Sequence, residues 1–164
     1  MNARRQHAVF DARGHDHSAC IDDALARAQA LCAEQGLRLT PIRRRVLELI
    51  WVNHRPAKAY DLLHTIGQER GNAAPPTVYR ALDFLLEAGL IHKIESLNAF
   101  IGCDAGHGTG HPKFLICHAC QRVAELPSPE VDSALAREAE RAGFVIDHKT
   151  VEIGGTCQAC ARGN

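Results

Sequence analysis

The sequence predicts an α+β chain in two parts: helices and a β-hairpin in winged-helix order, then a small α/β unit. Three observations predict it. Between residues 42 and 85, apolar side chains recur at helical spacing in stripes bounded by caps and breakers. Two short apolar segments follow, joined by Ser96-Leu97-Asn98 as in a hairpin. Two matched thiol pairs, Cys117-x-x-Cys120 and Cys157-x-x-Cys160, then enclose 36 residues, far more than a ribbon needs.

The elements follow in order. Residues 1–18 mix Arg, Asp, Gly and His without periodicity and read as a flexible tail. There His15, Asp16 and His17, with Cys20, could bind metal only loosely. A first helix is expected from about Ile21 to Gln35, with Ile21, Leu25, Ala28, Leu31 and Cys32 on one face and Gly36 ending it. Cys32 is expected as a small buried residue. Thr40 and Pro41 announce the second helix as N-cap and first helical residue. Its stripe is Ile42, Val46, Leu49 and Ile50, closed by Trp51. A third helix spans about Ala59 to Glu69, with Leu62, Leu63 and Ile66 inward, and Gly71-Asn72 breaks it.

In the fourth helix Val78, Ala81, Leu82 and Leu85 share one face. Tyr79, Arg80 and Asp83 occupy the other. Pro75-Pro76 is expected to stop any earlier helix, Thr77 to start this one and Gly89 to end it. Strands are expected at Leu90–Glu95 and Ala99–Cys103. The Gly- and His-rich stretch 104–112 reads as a hinge. Beyond it, strands are expected at Lys113–Cys117, Arg122–Leu126 and Phe144–Ile153. A helix at Pro129–Ala142, capped by Ser128, presents Val131, Leu135 and Ala139. The expected domains are thus 19–103, a winged helix, and 113–164, a compact α/β unit.

Composition bounds the function. The net charge is zero, but residues 36–95 carry nine Lys and Arg against six Asp and Glu. Arg43, Arg44 and Arg45 concentrate that excess. The pattern permits nucleic-acid binding without proving it. No apolar run approaches a membrane span and no apolar signal core opens the chain, so a cytoplasmic location and no membrane partner are expected. In that reducing compartment thiols stay free to hold metal.

Two residues between thiols let one turn of chain offer both sulfurs to one tetrahedral ion. Cys117, Cys120, Cys157 and Cys160 together make a closed four-thiolate site, the arrangement of structural zinc. His92, Cys103, His111 and Glu125 remain as potential ligands. None is persuasive alone, but their spread on either side of the hinge would let one ion bridge it. Imidazole, thiolate and carboxylate together suit Zn²⁺ and exclude hard ions such as Mg²⁺.

Several runs carry a resemblance: Leu37-Arg38-Leu39-Thr40-Pro41-Ile42-Arg43, Ala59-Tyr60-Asp61-Leu62-Leu63, Pro75 to Leu85 with Thr77-Val78-Tyr79-Arg80-Ala81-Leu82 at its centre, and Gly89 to Ser96. With the thiol pairs, they resemble the ferric-uptake-regulator family in its zinc-uptake branch, from about residue 21 to Cys160. The resemblance implies a dimeric, metal-dependent transcriptional repressor of metal-uptake genes acting on operator DNA, an inverted repeat, with residues 113–164 as its dimerisation domain. It implies two Zn²⁺ per subunit: a structural ion on the four thiols and a sensing ion on His92, Cys103, His111 and Glu125, with His107 as the alternative to His111. It places Tyr60 and Arg80 on bases. An Arg can also bond guanine in bidentate fashion, which supports Arg80 independently. Thr77 and Tyr79 belong to the same face, Tyr79 on phosphate. Asp132 and His148 match a third metal site of other members, and His118, between two thiols, is expected to face solvent.

Competing readings remain. An iron or peroxide sensor of the same family is opposed by Cys103 and by the thinning of the family's His-rich run to His111-Pro112-Lys113-Phe114. A zinc enzyme needs an open coordination position and a general base; four protein ligands leave none open, so no enzyme and no small-molecule substrate are expected. A zinc store or chaperone that does not bind DNA would have no use for the Tyr60 and Arg80 face.

Overall fold

The computed structural model describes residue 10 and residues 17–52, 55–71, 75–103 and 112–163. Most of the expected tail and hinge, with His15, Asp16, Asn72, His107 and His111, lies outside the described residues. The described residues form two compact units, one from residue 17 to 103 and one of residue 10 with residues 112 to 163. Among the described residues, no helix is long and apolar enough to cross a membrane.

The first unit runs α1 (His17–Glu34), α2 (Pro41–Trp51), β1 (Ala57–Lys58), α3 (Ala59–Arg70), α4 (Pro75–Glu87), β2 (Ile91–Ile94) and β3 (Ala99–Gly102). Its core is Ala24, Leu25 and Ala28 of α1, Val46, Leu47, Ile50 and Trp51 of α2, Leu62 and Ile66 of α3, and Val78, Ala81, Leu82 and Leu85 of α4. Most belong to the expected apolar stripes, but Ala24 and Leu47 take core places that were not expected, while Ile42, Leu49 and Leu63 are only partly buried against them. Helices α2, α3 and α4 with the hairpin make the winged helix. Gly89 sits at φ +66°, a conformation that L side chains rarely adopt. There its N–H reaches Leu86 O (2.9 Å) while Leu90 N–H reaches Leu85 O (2.9 Å). Two of the orphan carbonyls at the end of α4 are thereby satisfied and the chain turns into the wing.

The wing is an antiparallel sheet in the order β1-β3-β2. His92 pairs with Ile101 and Ile91 with Gly102. Asn98, in the left-handed region, closes the 3-10 turn between β2 and β3. Two expectations are corrected here, and one strand appears that was not expected. Helix α1 starts at His17, inside the segment read as tail. Helix α4 starts at Pro75, because a proline has no N–H to lose in the first turn of a helix. Strand β1 went unrecognised, being only two residues long. Thr40 holds the extended N-cap conformation, although its side chain makes no capping bond.

The second unit holds β4 (Lys113–Cys117), β5 (Val123–Glu125), α5 (Pro129–Arg141), β6 (Val151–Gly155) and α6 (Gln158–Ala161). The sheet order is β5-β4-β6, antiparallel between β4 and β5 and parallel between β4 and β6. Ser128 caps α5 by accepting from Val131 N–H (3.4 Å). The strand expected at Phe144–Ile153 is only β6, and residues 144–150 are irregular. Phe144 and Val145 are apolar in type but 67% and 81% exposed, so apolar character alone overstated the strand.

Candidate functional site

Parallel pairing of β4 with β6 sets Cys117 opposite Gly155. Each strand then runs straight into a thiol turn. After β4, Gln121 N–H bonds Cys117 O (2.8 Å) and Gln121 takes a positive φ, folding Cys120 back beside Cys117. After β6, Cys157 caps α6 and Ala161 N–H returns to its carbonyl (2.9 Å), which brings in Cys160. His118 N–H to Gly155 O (2.9 Å) ties the two turns together. The His118 side chain is exposed, as expected, with its ring close over Gly154, where a Cβ would collide with it.

The four sulfurs lie within 4.8 Å of one another, and Cys120 Sγ is 3.9 Å from Cys157 Sγ. A tetrahedral ion with Zn–S of about 2.3 Å sets sulfurs about 3.8 Å apart, so this donor set fits zinc. The electrostatics agree. Cys157 N–H donates to Cys117 Sγ (3.3 Å), and this contact, followed by the Cys120 N–H, pulls the Cys117 thiol down to about 6. Cys160 is pushed up to about 12, first by its hydrogen bond with Cys157, then by burial and its other thiol neighbours. One thiolate is favoured and the next opposed, so only a cation lets all four ionise together. Among the described residues, these four thiols are the group that converges in this way.

The second candidate set is divided. His92 and Cys103 belong to the wing. Cys103 N–H bonds Leu90 O (3.1 Å), which carries the β2–β3 pairing one residue beyond the strand. Alternation along paired strands then puts His92 and Cys103 on the same face. His92 is half-buried, and burial pushes its imidazole below the ordinary range, toward the neutral form that binds metal. Glu125 ends β5 in the other unit, paired with Phe114, and His111 lies outside the described residues. Asp132 and His148 are engaged otherwise. Asp132 accepts from Lys113 Nζ (2.6 Å) and Lys149 Nζ (2.5 Å), so two ammonium groups stand where a metal would have to. His148 is exposed and pairs with Thr150 Oγ1 (3.1 Å).

On the first unit, Thr77, Tyr79 and Arg80 all lie on the exposed side of α4, opposite the buried stripe. Tyr60, in the first turn of α3, is 75% exposed. The arginine run is not a free basic patch. Arg45 bonds Glu69 of α3 through Nε (2.9 Å) and a terminal nitrogen (2.5 Å), and also Glu48 (3.1 Å). Arg44 pairs with Glu48 (3.0 Å). Arg43 donates to Arg38 O (2.6 Å) and stacks 3.5 Å from the Phe84 ring centroid. The run therefore works chiefly as an internal clamp.

With this geometry in view, the chain matches the model of the ferric uptake regulator family over residues 34–154. The chain belongs to the ferric uptake regulator family. It is similar to the zinc uptake regulation protein of Escherichia coli K12, at 40% identity over 84% of this chain and 81% of that one. It also resembles a solved zinc uptake regulator complexed with zinc and DNA, with a TM-score of 0.81, 38% identity and coverage of 87% and 96% of the two chains. The crystal structure of holo XcZur gives a TM-score of 0.77 at 44% identity, covering 86% of this chain and 99% of that chain. The sequence left three features of this chain unforeseen: the Arg45 clamp, the Lys113–Asp132–Lys149 triad and the Trp51 indole set against Gly102, where a Cβ would meet its ring. The first two depend on partners 17 to 24 residues apart in sequence. A signal existed for the third, since the only tryptophan of the chain and a strand glycine are a large and a small residue that can interlock.

Proposed function

We propose that the chain is a zinc-responsive, dimeric transcriptional repressor. It binds operator DNA of zinc-uptake genes, at an inverted repeat, when its regulatory zinc site is filled. The observation that carries this reading is the likeness to a zinc uptake regulator solved with zinc and DNA. It is supported by a four-thiol centre that fits zinc and by an α4 whose polar face stands clear of the core.

Each subunit takes two ions on this reading. Cys117, Cys120, Cys157 and Cys160 hold the structural one; bound there, zinc holds the ends of β4 and β6 together. His92, Cys103, Glu125 and His111, with His107 as its alternative, hold the regulatory one. The residues of α3 and α4 do the reading of DNA. Arg80 offers a bidentate fork to guanine, Tyr60 reaches a base edge, and Thr77 and Tyr79, near the start of α4, take backbone phosphate. The protein is a cytoplasmic regulator rather than an enzyme, with no small-molecule substrate and no membrane partner. Asp132 is satisfied by lysines, so no third ion is assigned.

A gel-shift titration tests this. Zinc is expected to produce a retarded operator band where Fe²⁺ and Mn²⁺ do not. Cys103→Ser is expected to lose the band while keeping its helical signal and one tightly held zinc. Retardation driven equally by Fe²⁺ or Mn²⁺ would point to an iron or peroxide sensor. No band under any metal would leave a zinc store.

A further inference from the structure

Trp51 ends α2 and is 5% exposed. Its indole lies against Gly102 of β3, where a Cβ would overlap Cε2, Nε1 and Cζ2 of the ring. The Arg27 guanidinium of α1 also stands over the ring, 5.7 Å from its centroid. Cys103 is the next residue along the chain from Gly102. It and Trp51 border the same cavity of about 200 Å³, which Gly89, Leu90 and α1 complete. Large ring and missing side chain are therefore complementary, and they meet one peptide away from a wing thiol.

We propose that Trp51 and Gly102 form a size-matched joint that sets the position of Cys103. Trp51 is then a positioning residue for the wing's metal ligands. It also ties those ligands to α2, a helix packed on α4 in the core. The inference rests on the reading of Cys103 as a regulatory zinc ligand. Its physical basis is close packing: a buried indole edge already in contact with the strand leaves no room for an added methyl, so ring or strand must shift. Residues that orient a metal ligand from behind typically alter affinity about 10- to 100-fold when changed. As the chain has one tryptophan, the joint also supplies its own optical signal.

The test compares zinc affinity, by chelator competition, in the full-length protein loaded at its four-thiol centre. Gly102→Ala is expected to weaken the regulatory site about 10- to 100-fold. Adding Trp51→Phe, which removes the indole edge that the new methyl strikes, is expected to restore most of the affinity. Tryptophan emission of the unsubstituted protein is expected to shift as the regulatory site fills, and to stay constant in Cys103→Ser. Should Gly102→Ala fail to fold, Trp51→Phe alone serves: the gap behind the strand is expected to weaken zinc binding without a clash. Cys103→Ser separates the two ideas. If it weakens zinc binding while Gly102→Ala and Trp51→Phe do not, the joint is wrong and the ligand assignment stands. If Cys103→Ser has no effect, the assignment is wrong and the joint goes with it.

Discussion

Lys113 opens β4 with its side chain only 5% exposed, a cation held inside the second unit. Such a charge is tolerated only beside a counter-charge. Asp132 of α5 supplies it and shares its other oxygen with Lys149. The hydrogen bond from Lys113, and then that from Lys149, hold the Asp132 carboxyl below its ordinary range. A folded-state value below the unfolded one means stability that is present above the unfolded value, near 4, and lost as pH falls through the folded value. Asp132→Asn is therefore expected to lower the melting temperature at neutral pH and to flatten its decline in acid below about pH 4. Thermal melts from pH 2 to 7 check this. A variant that melts like the parent across that range would show that the lysines are satisfied without Asp132. Zinc stoichiometry is expected to be the same in both, since this carboxylate holds ammonium and not metal.

At the scale of elements, the first unit was largely legible. Thr40-Pro41 and Gly89 mark ends by local chemistry, and the stripes of α2, α3 and α4 can face only inward. What lay hidden depended on distant partners. Arg43, Arg44 and Arg45 are basic in composition, but Glu69, 24 residues beyond Arg45, turns the run into a bond between α2 and α3. Strand β1 is strand-like only because β3 pairs with it. The thiol centre was legible because its spacing is local, whereas the placing of its two halves is the work of the β4–β6 pairing. His92 and Cys103 were legible as residue types, and their common face follows from the β2–β3 register. A contrast between two helices follows. Arg80→Ala is expected to cost about 1–3 kcal/mol at one base position and to relax sequence preference there. Arg44→Ala removes only an exposed i,i+4 pair, worth about 0.3–0.5 kcal/mol in stability, and is expected to leave that preference intact. Binding measured across operator variants decides. Relaxed preference from Arg44→Ala with none from Arg80→Ala would reverse the assignment of the reading helix.

At the scale of the whole molecule, the described residues of the second unit include exposed apolar side chains. Helix α5 has no buried residue, and Leu135, Phe144, Val145 and Ile153 are 38%, 67%, 81% and 44% exposed. Phe144 and Val145 line one concavity with Ala136, Ala139 and Ile146. Contiguous apolar surface of this kind marks an interaction site on a protein that stays dispersed. On the reading proposed above, a second copy covers it, because an inverted-repeat operator calls for two-fold symmetry in its reader. Two-fold symmetry counts every side chain at such a face twice. Burying one Val is worth about 1.5–3 kcal/mol, so Val145→Asp is expected to cost about 3–6 kcal/mol of dimer stability. That raises the dimer Kd by at least about 100-fold. Sedimentation equilibrium reads the change directly, and the operator affinity is expected to fall with it, while Tyr60, Arg80 and the four thiols stay intact. If Val145→Asp sediments as the parent does, this face is not where the copies meet, and the exposed apolar side chains of α5 and the segment after it require another partner.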